Sequence, residues 1–443
     1  MNQINTGDTA FVLICVALVA IMTPGLAFFY GGLVRRKNVI TIMMQSFVSL
    51  GVVTLIWIVC GFSLAFGPDV HGVIGNLHYL FLYNVGQAPN PQYAPTVPFL
   101  AFFVFQLTVA ALTPALITGA FADRVPFKSY LVFLTAWSLL VYVPLAHWIW
   151  GGGFLQQWGV LDFGGGMVVH GSAGFAALAS VWVVGKRVFA AGEDERPSNV
   201  PLIAIGLGLL WFGWLGDNPA NAMRANGMAA QALVNTFIAG GLAMLVWMFT
   251  DWVRTRKASM VGALTGVLAG LVAVTPCAGY VPTWAAALVA LIAGGVCYSA
   301  TQLRAKRGWD DSLDVWGVHG IGGLLGSLLV GVFAYASVGG HDGLLAGDGK
   351  QFGLQLVGVA IALTYAFSVS FAILKVIDLV ASVQVSRRVQ LSGLDEELHG
   401  EAAYGPREAD EPVNGLPVPV QESGGGDQSH EPDTSGKNPA NGV

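Results

Sequence analysis

The sequence predicts an all-α polytopic membrane protein: eleven transmembrane helices, an inverted 5+5 repeat plus a final helix, with the N-terminus outside and the C-terminus in the cytosol. Three observations predict it. The 443 residues are 54% hydrophobic and only 11% charged, with a mean hydropathy of +0.64, whereas an ordinary soluble domain is ~25% charged. Mostly apolar runs of about 20 residues, the length that spans a bilayer, recur along the chain. Lys and Arg fall almost entirely in alternate loops, the pattern that orients membrane proteins.

The runs lie roughly at 9–33, 40–66, 97–121, 130–148, 166–186, 199–217, 225–251, 259–275, 282–303, 315–335 and 353–380. No base precedes the first, and its length suits a span better than the core of a signal peptide. Loops after spans 1, 3, 5, 7 and 9 hold fourteen Lys and Arg residues, while the intervening loops hold only Arg224 and Lys350. A miscounted span would destroy that alternation, so it supports the count as well as the orientation.

This composition excludes a water-soluble enzyme as the default, and equally a disordered chain, which needs low hydrophobicity and high charge. Cys15, Cys60, Cys277 and Cys297 show no ligand or disulfide spacing and read as small core hydrophobes. From Asp395 onward eleven acids face Arg407 and Lys437, a net −9, which leaves +4 on the rest of a chain whose total is −5. The acidity therefore belongs to the tail. The expected organisation is a membrane domain over 1–380, a polar cytosolic juxtamembrane segment over 381–404, and a disordered acidic tail over 405–443, rich in Gly, Pro, Asp, Glu and Ser.

Two segments echo each other: Val169-His170-Gly-Ser-Ala-Gly174 and Val318-His319-Gly-Ile-Gly-Gly323, each histidine eight residues after an acid, Asp162 or Asp311. Five helices per copy is an odd number, so the second copy must be inverted, as in many transporters. Eight helical residues rise about 12 Å, close to half of a ~30 Å core. That rise would bring both histidines to the midplane, where they meet on a pseudo-two-fold axis. Ionisable groups inside a bilayer usually mark a substrate path or proton relay; the plainer reading is a satisfied histidine pair that holds two helices together. Imidazole suits the first role because it donates from one nitrogen and accepts at the other while neutral.

Longer stretches carry a resemblance: MTPGLAFFYGGLVRRKN over 22–38, WIWGGG over 148–153, DFGGGMVVH over 162–170, DDSLDVWGVHG over 310–320, and GLDEELHGE over 393–401 followed by Tyr404. Together they resemble the ammonium transporter (Amt/Mep/Rh) family across roughly residues 5–404. The resemblance implies a plasma-membrane homotrimer with one pore per subunit. Ammonium is recruited at an outer vestibule, loses a proton, and crosses as ammonia between twin histidines. By position, Trp150 matches the vestibule tryptophan, whose ring face attracts a cation by about 0.5–2 kcal/mol. Asp162 matches the acid supporting the vestibule, His170 and His319 the twin pair, and Trp214 a pore-wall tryptophan. Phe105 and Gln106 match the start of the span-3 pore motif, and Tyr30 and Tyr142 match aromatic positions near the path, where core packing explains them equally well. The family's segment at Gly393–Tyr404 packs under the pores, and the resemblance implies a PII-type nitrogen regulatory partner at the cytosolic exits.

The chain departs from the pattern at the gate. Val109 and Asp217 stand where the family has two phenylalanines, Asn221 where it has a vestibule serine, and Pro219 where a small residue is usual. On the bland reading span 6 ends early, and Asp217 caps the pore mouth or pairs with Arg224. On the sharper one Asp217 recruits cations at a wider, more electronegative entrance.

His147 reads as structural, and His71 and His78 lack metal-ligand spacing. The Gly runs at 151–153 and 164–166 lack the GK[ST] of a phosphate loop. No nucleophile arrangement, nucleic-acid patch, metal site or cofactor motif stands out, so no enzyme is expected. The leading function is ammonium/ammonia transport. The alternatives are a divergent member carrying another small amine or cation, and an ammonium sensor with little flux.

Overall fold

The computed structural model describes residues 3–190 and 196–405. Apart from Gly405, the acidic tail expected over 405–443 lies outside the described residues. Among the described residues, ten helical stretches are long and apolar enough to cross a membrane: α1 (Thr6–Leu33), α2 (Arg36–Phe66), α3 (Phe99–Phe121), α4 (Phe127–Trp158), α5 (Gly166–Val184), α6 (Val200–Ala220), α7 (Gly227–Thr255), α9 (Thr283–Arg307), α10 (Trp316–Phe333) and α11 (Gly349–Val380). The eighth run forms α8 (Met260–Val274), of 15 residues, about 22 Å long. The chain stops it at Thr275-Pro276: Thr275 still has helical backbone, but Pro276 has no N–H to continue the ladder. All eleven expected runs are thus helical, but α8 falls short of a full crossing by length.

Helix starts follow local chemistry. Asn5, Asn199, Asn226, Ser259 and Asp348 accept hydrogen bonds from the first turns of α1, α6, α7, α8 and α11, the arrangement that satisfies otherwise orphaned N–H groups. Outside the bundle, the segment between α2 and α3 forms two short antiparallel hairpins, Asp69–Val70 with Ile74–Gly75 and Pro89–Asn90 with Ala94–Pro98.

The packing repeats itself with an offset of five helices. α2 packs on α3 and α7 on α8; α3 on α5 and α8 on α10; α1 on α3 and α6 on α8. Across the repeat, α1 packs along α6 and α5 along α10. The connections sort into two ends. At one end, Arg35 pairs with Asp123 at 3.0 Å, Arg187 with Asp310 at 2.9 Å and Arg124 with Asp310 at 2.8 Å, joining the loops after α1, α3, α5 and α9. Burial works against ionisation of Asp310, but the flanking guanidiniums of Arg124 and Arg187 hold its carboxyl below the usual range. At the other end, Asn5 N–H donates to Thr96, Ala225 N–H to Asp8, and Phe154 N–H to Gly72. The base-rich loops gather at the first end, as the Lys/Arg alternation requires.

The segment 381–404 is folded against that first end. It forms two short helices, α12 (Arg387–Ser392) and α13 (Leu394–His399). The Asp395 carboxylate accepts from Ile40 N–H at 2.9 Å and Thr41 N–H at 2.8 Å, capping the start of α2. Lys37 Nζ donates to Leu391 O at 2.8 Å and Val385 N–H to Arg124 O at 2.8 Å.

Two buried carboxylates start the two helices that carry the histidines. Asp162 accepts from four backbone N–H groups, those of Gly165 (2.9 Å), Gly166 (2.6 Å), Met167 (2.8 Å) and Val168 (3.2 Å). Asp311 accepts from Trp316 N–H at 2.7 Å. Each helix then opens with a wide π turn, Gly166–Gly171 and Trp316–Gly320, with the histidine as its next-to-last residue. The straight eight-residue helical rise expected from the acid-to-histidine spacing is therefore wrong. The helix begins only at Gly166, because Asp162 lies in the preceding turn and works as its cap.

On either side of the histidines α5 and α10 cross on glycine. A Cβ at Gly174 would overlap the Gly320 backbone, and a Cβ at Gly323 would lie 2.5 Å from Gly166 O and 2.7 Å from Gly171 N. The glycine four residues after each histidine thus packs on the glycine just after the other, a two-fold relation visible in the residues themselves. Gly174→Ala should force α5 and α10 apart at a cost of about 1–3 kcal/mol, read as a lower melting temperature in detergent; an unchanged melting point would disprove the close crossing. Removing the cap with Asp162→Ala should cost about 2–4 kcal/mol through stranded N–H groups, with Asp162→Asn intermediate in the same assay.

Candidate functional site: a histidine pair between two half-repeats

His170 and His319 are 2% and 1% exposed. Their Nδ1 atoms approach to 3.2 Å, and the rings lie 5.3 Å apart between centroids at 27°. One ring must donate and the other accept across that contact, which two neutral imidazoles manage and two imidazoliums do not. His319 Nε2 has no hydrogen-bond partner. The Trp214 indole stacks on the outer face of His170, centroids 5.2 Å apart at 28°, and its N–H donates to Thr275 Oγ at 2.9 Å.

Trp150 stands at the same end as Asp162. Its indole N–H donates to Asp162 O at 2.8 Å, so one residue caps α5 through its carboxylate and orients Trp150 through its carbonyl. Burial pushes the Asp162 carboxyl up to about 6, against the pull of the four N–H donors. Asn218 on α6 abuts the same turn: a Cβ at Gly164 would lie 2.6 Å from Asn218 Oδ1.

The remaining expected residues separate into two sets. Phe105, Gln106 and Val109 are buried on α3, and Gln106 Oε1 is without a partner. Tyr142 is buried beside Thr113, and Tyr30 donates its O–H to Leu116 O at 2.9 Å, a packing bond that ties α1 to α3. Asp217 is 6% exposed and its Oδ1 has no partner. Two parts of the bland reading of this acid do not hold: α6 continues to Ala220 past it, and among the described residues it forms no ion pair with Arg224, which is exposed. Asn221 donates to the Asp217 backbone carbonyl at 2.9 Å, a helix-end bond. His147 is structural: its ring bridges Ala65 O at 2.8 Å and Asp69 Oδ1 at 2.9 Å.

Sequence reasoning missed three supports. Thr275 anchors Trp214. Gln355 on α11 clamps the strand before Asp162, accepting from Leu161 N–H at 2.7 Å and donating to Leu161 O and Ser327 O. The third support is the pair of reciprocal glycine contacts. A glutamine within an apolar span is a visible signal, since such polar groups are rare unless they are used.

Comparison with known proteins agrees with this geometry. The family model described as "Ammonium Transporter Family" matches residues 10–404. The chain is 43% identical over 401 residues to an ammonium transporter of Bacillus subtilis (strain 168), covering 90% of this chain and 98% of that one. It is 43% identical over 403 residues to the ammonium transporter Amt1 of Archaeoglobus fulgidus, covering 90% of this chain and all of that protein. The crystal structure of Saccharomyces cerevisiae Mep2 superposes with a TM-score of 0.82 at 32% identity, covering 87% of this chain and 88% of that one. A structure described as a sensor Amt protein gives 0.81 at 26% identity, over 88% and 97%. With a match across nearly the whole membrane part, and relatives named as transporters rather than enzymes, this multi-pass membrane protein belongs to the ammonium transporter family.

Proposed function

We propose that the protein moves ammonium nitrogen across the plasma membrane as ammonia, through a pore that passes between His170 and His319. The observation that carries this reading is the 3.2 Å contact between two buried imidazoles at the crossing of two half-repeats. A bare cation entering hydrocarbon costs several kcal/mol or more; neutral ammonia costs far less. A route that removes a proton therefore rejects potassium, which has none to give up, while a size filter alone would admit it.

Each residue then has a task. Trp150 attracts the cation with its ring face. Asp162 holds Trp150 and the first turn of α5 in register. Trp214 walls the approach to His170, and the histidine pair offers donors and acceptors to ammonia without a fixed charge. The N-terminus faces outside, because the base-rich loops share the end carrying α12 and α13. Three copies assemble, as in the family, each with its own pore. The 381–404 segment is regulatory: through Asp395 and Lys37 it grips the start of α2, where a PII-type partner at the cytosolic face could act on it.

The experiment is methylammonium and ammonium uptake by purified protein in proteoliposomes. His170→Leu combined with His319→Leu should lose ammonium flux or the exclusion of potassium; retention of both properties would overturn the pore. Trp150→Ala should raise the half-saturating ammonium concentration about 2- to 30-fold, the equivalent of about 0.5–2 kcal/mol of cation–π attraction, with the maximal rate little changed.

A further inference from the structure

We propose that Asp217 is the base that takes the proton from the incoming cation, a role assigned to no residue above; this rests on the pore reading of the histidine pair. Asp217 lies three residues after Trp214 on α6, hence on the same helix face one turn away, and Trp214 is the ring stacked on His170. The next residue, Asn218, abuts the Asp162–Gly165 turn that also holds Trp150. Asp217 is thus one helical turn beyond the tryptophan stacked on His170, on the stretch of α6 that runs past the turn holding Trp150.

Its surroundings supply the chemistry. Oδ1 is buried without a partner, and among the described residues no Lys or Arg pairs with it. The titratable groups within electrostatic reach are the Tyr142 phenol on α4 and the Cys15 thiol on α1, both ordinarily neutral. Thr113 on α3 stands beside Tyr142, with its hydroxyl turned to its own helix at Val109 O. A buried carboxylate without hydrogen bonds or a countercharge is costly. An ammonium ion arriving beside it would form an equally unsupported ion pair, and such a pair in apolar surroundings lowers its energy by becoming neutral acid and neutral amine. One N–H bond breaks with its electron pair left on nitrogen, and one O–H bond forms on Asp217. Ammonia passes on toward His170, and release of the proton to water at the Trp150 mouth restores the carboxylate.

The test uses the full chain in proteoliposomes, with methylammonium and ammonium as the probes. Asp217→Asn should lower the maximal uptake rate by about a hundredfold, the lower end for loss of a general base, and Asp217→Glu should recover a substantial part of it. Wild-type uptake with an undiminished rate in Asp217→Asn overturns this inference alone; no uptake by the wild type overturns the pore reading as well. Potassium uptake by the wild type at a rate comparable to ammonium would show a carboxylate that binds cations without accepting a proton, and overturns the assignment. Should Asp217→Asn fail to fold, infrared difference spectra of the wild type with and without ammonium decide: a new protonated-carboxyl band supports the base, and its absence overturns it.

Discussion

Everything at the centre of this molecule depends on how closely α5 and α10 approach each other. The glycines at 171, 174, 320 and 323 let one backbone rest on the other, and only at that separation do two imidazoles reach Nδ1-to-Nδ1 contact. In lipid no hydrophobic force draws helices together, so van der Waals packing of small residues must do it. The histidine contact and the glycine contact are thus one feature: the side chains that define the chemistry require the side chains that are missing.

The π turns complete that geometry. A regular α-helix starting at Gly166 would place residue 170 at a different angle about the axis. The wider turn rotates it, and the four N–H groups it gathers at its start are absorbed by one carboxylate, Asp162. Asp311 does the corresponding work on α10 through Trp316 N–H. Such bulges inside helices are often found at functional sites. Here the cause is specific, since each bulge is bracketed by a capping acid and a glycine crossing.

The architecture was legible in the sequence because bilayer physics writes it there in a coarse code. Apolar runs and Lys/Arg alternation gave the order of helices, and the paired His-Gly segments gave the repeat. What stayed hidden was local. The acid-to-histidine spacing looked like a helical rise, and period alone could not show that Asp162 precedes the helix as its cap. The short α8 depends on Thr275-Pro276, which reads as part of an apolar run until the backbone is seen. Asp217 carried the opposite problem. Next to Pro219 and near Arg224 it looked like a helix end with a ready partner, yet α6 continues through Pro219 to Ala220. Pro219 gives up its hydrogen bond to the carbonyl four residues back without ending the helix, and Arg224, in the turn beyond Ala220, is exposed.

Charge is handled differently at the two levels of the bundle. Paired charges gather at one end, where Arg35, Arg124 and Arg187 meet Asp123 and Asp310 and each buried charge has a countercharge beside it. Around the histidines the partners are neutral side chains, Thr275 for the Trp214 indole and Gln355 for the Leu161 backbone. Asp217 belongs to neither class. A fold that satisfies Asp162 with four N–H groups plainly has the means to satisfy a buried carboxylate, so one left open on the approach to the histidines is better explained by a transient partner than by poor packing. A proton and its carrier are the partner that the rest of the passage is built to separate.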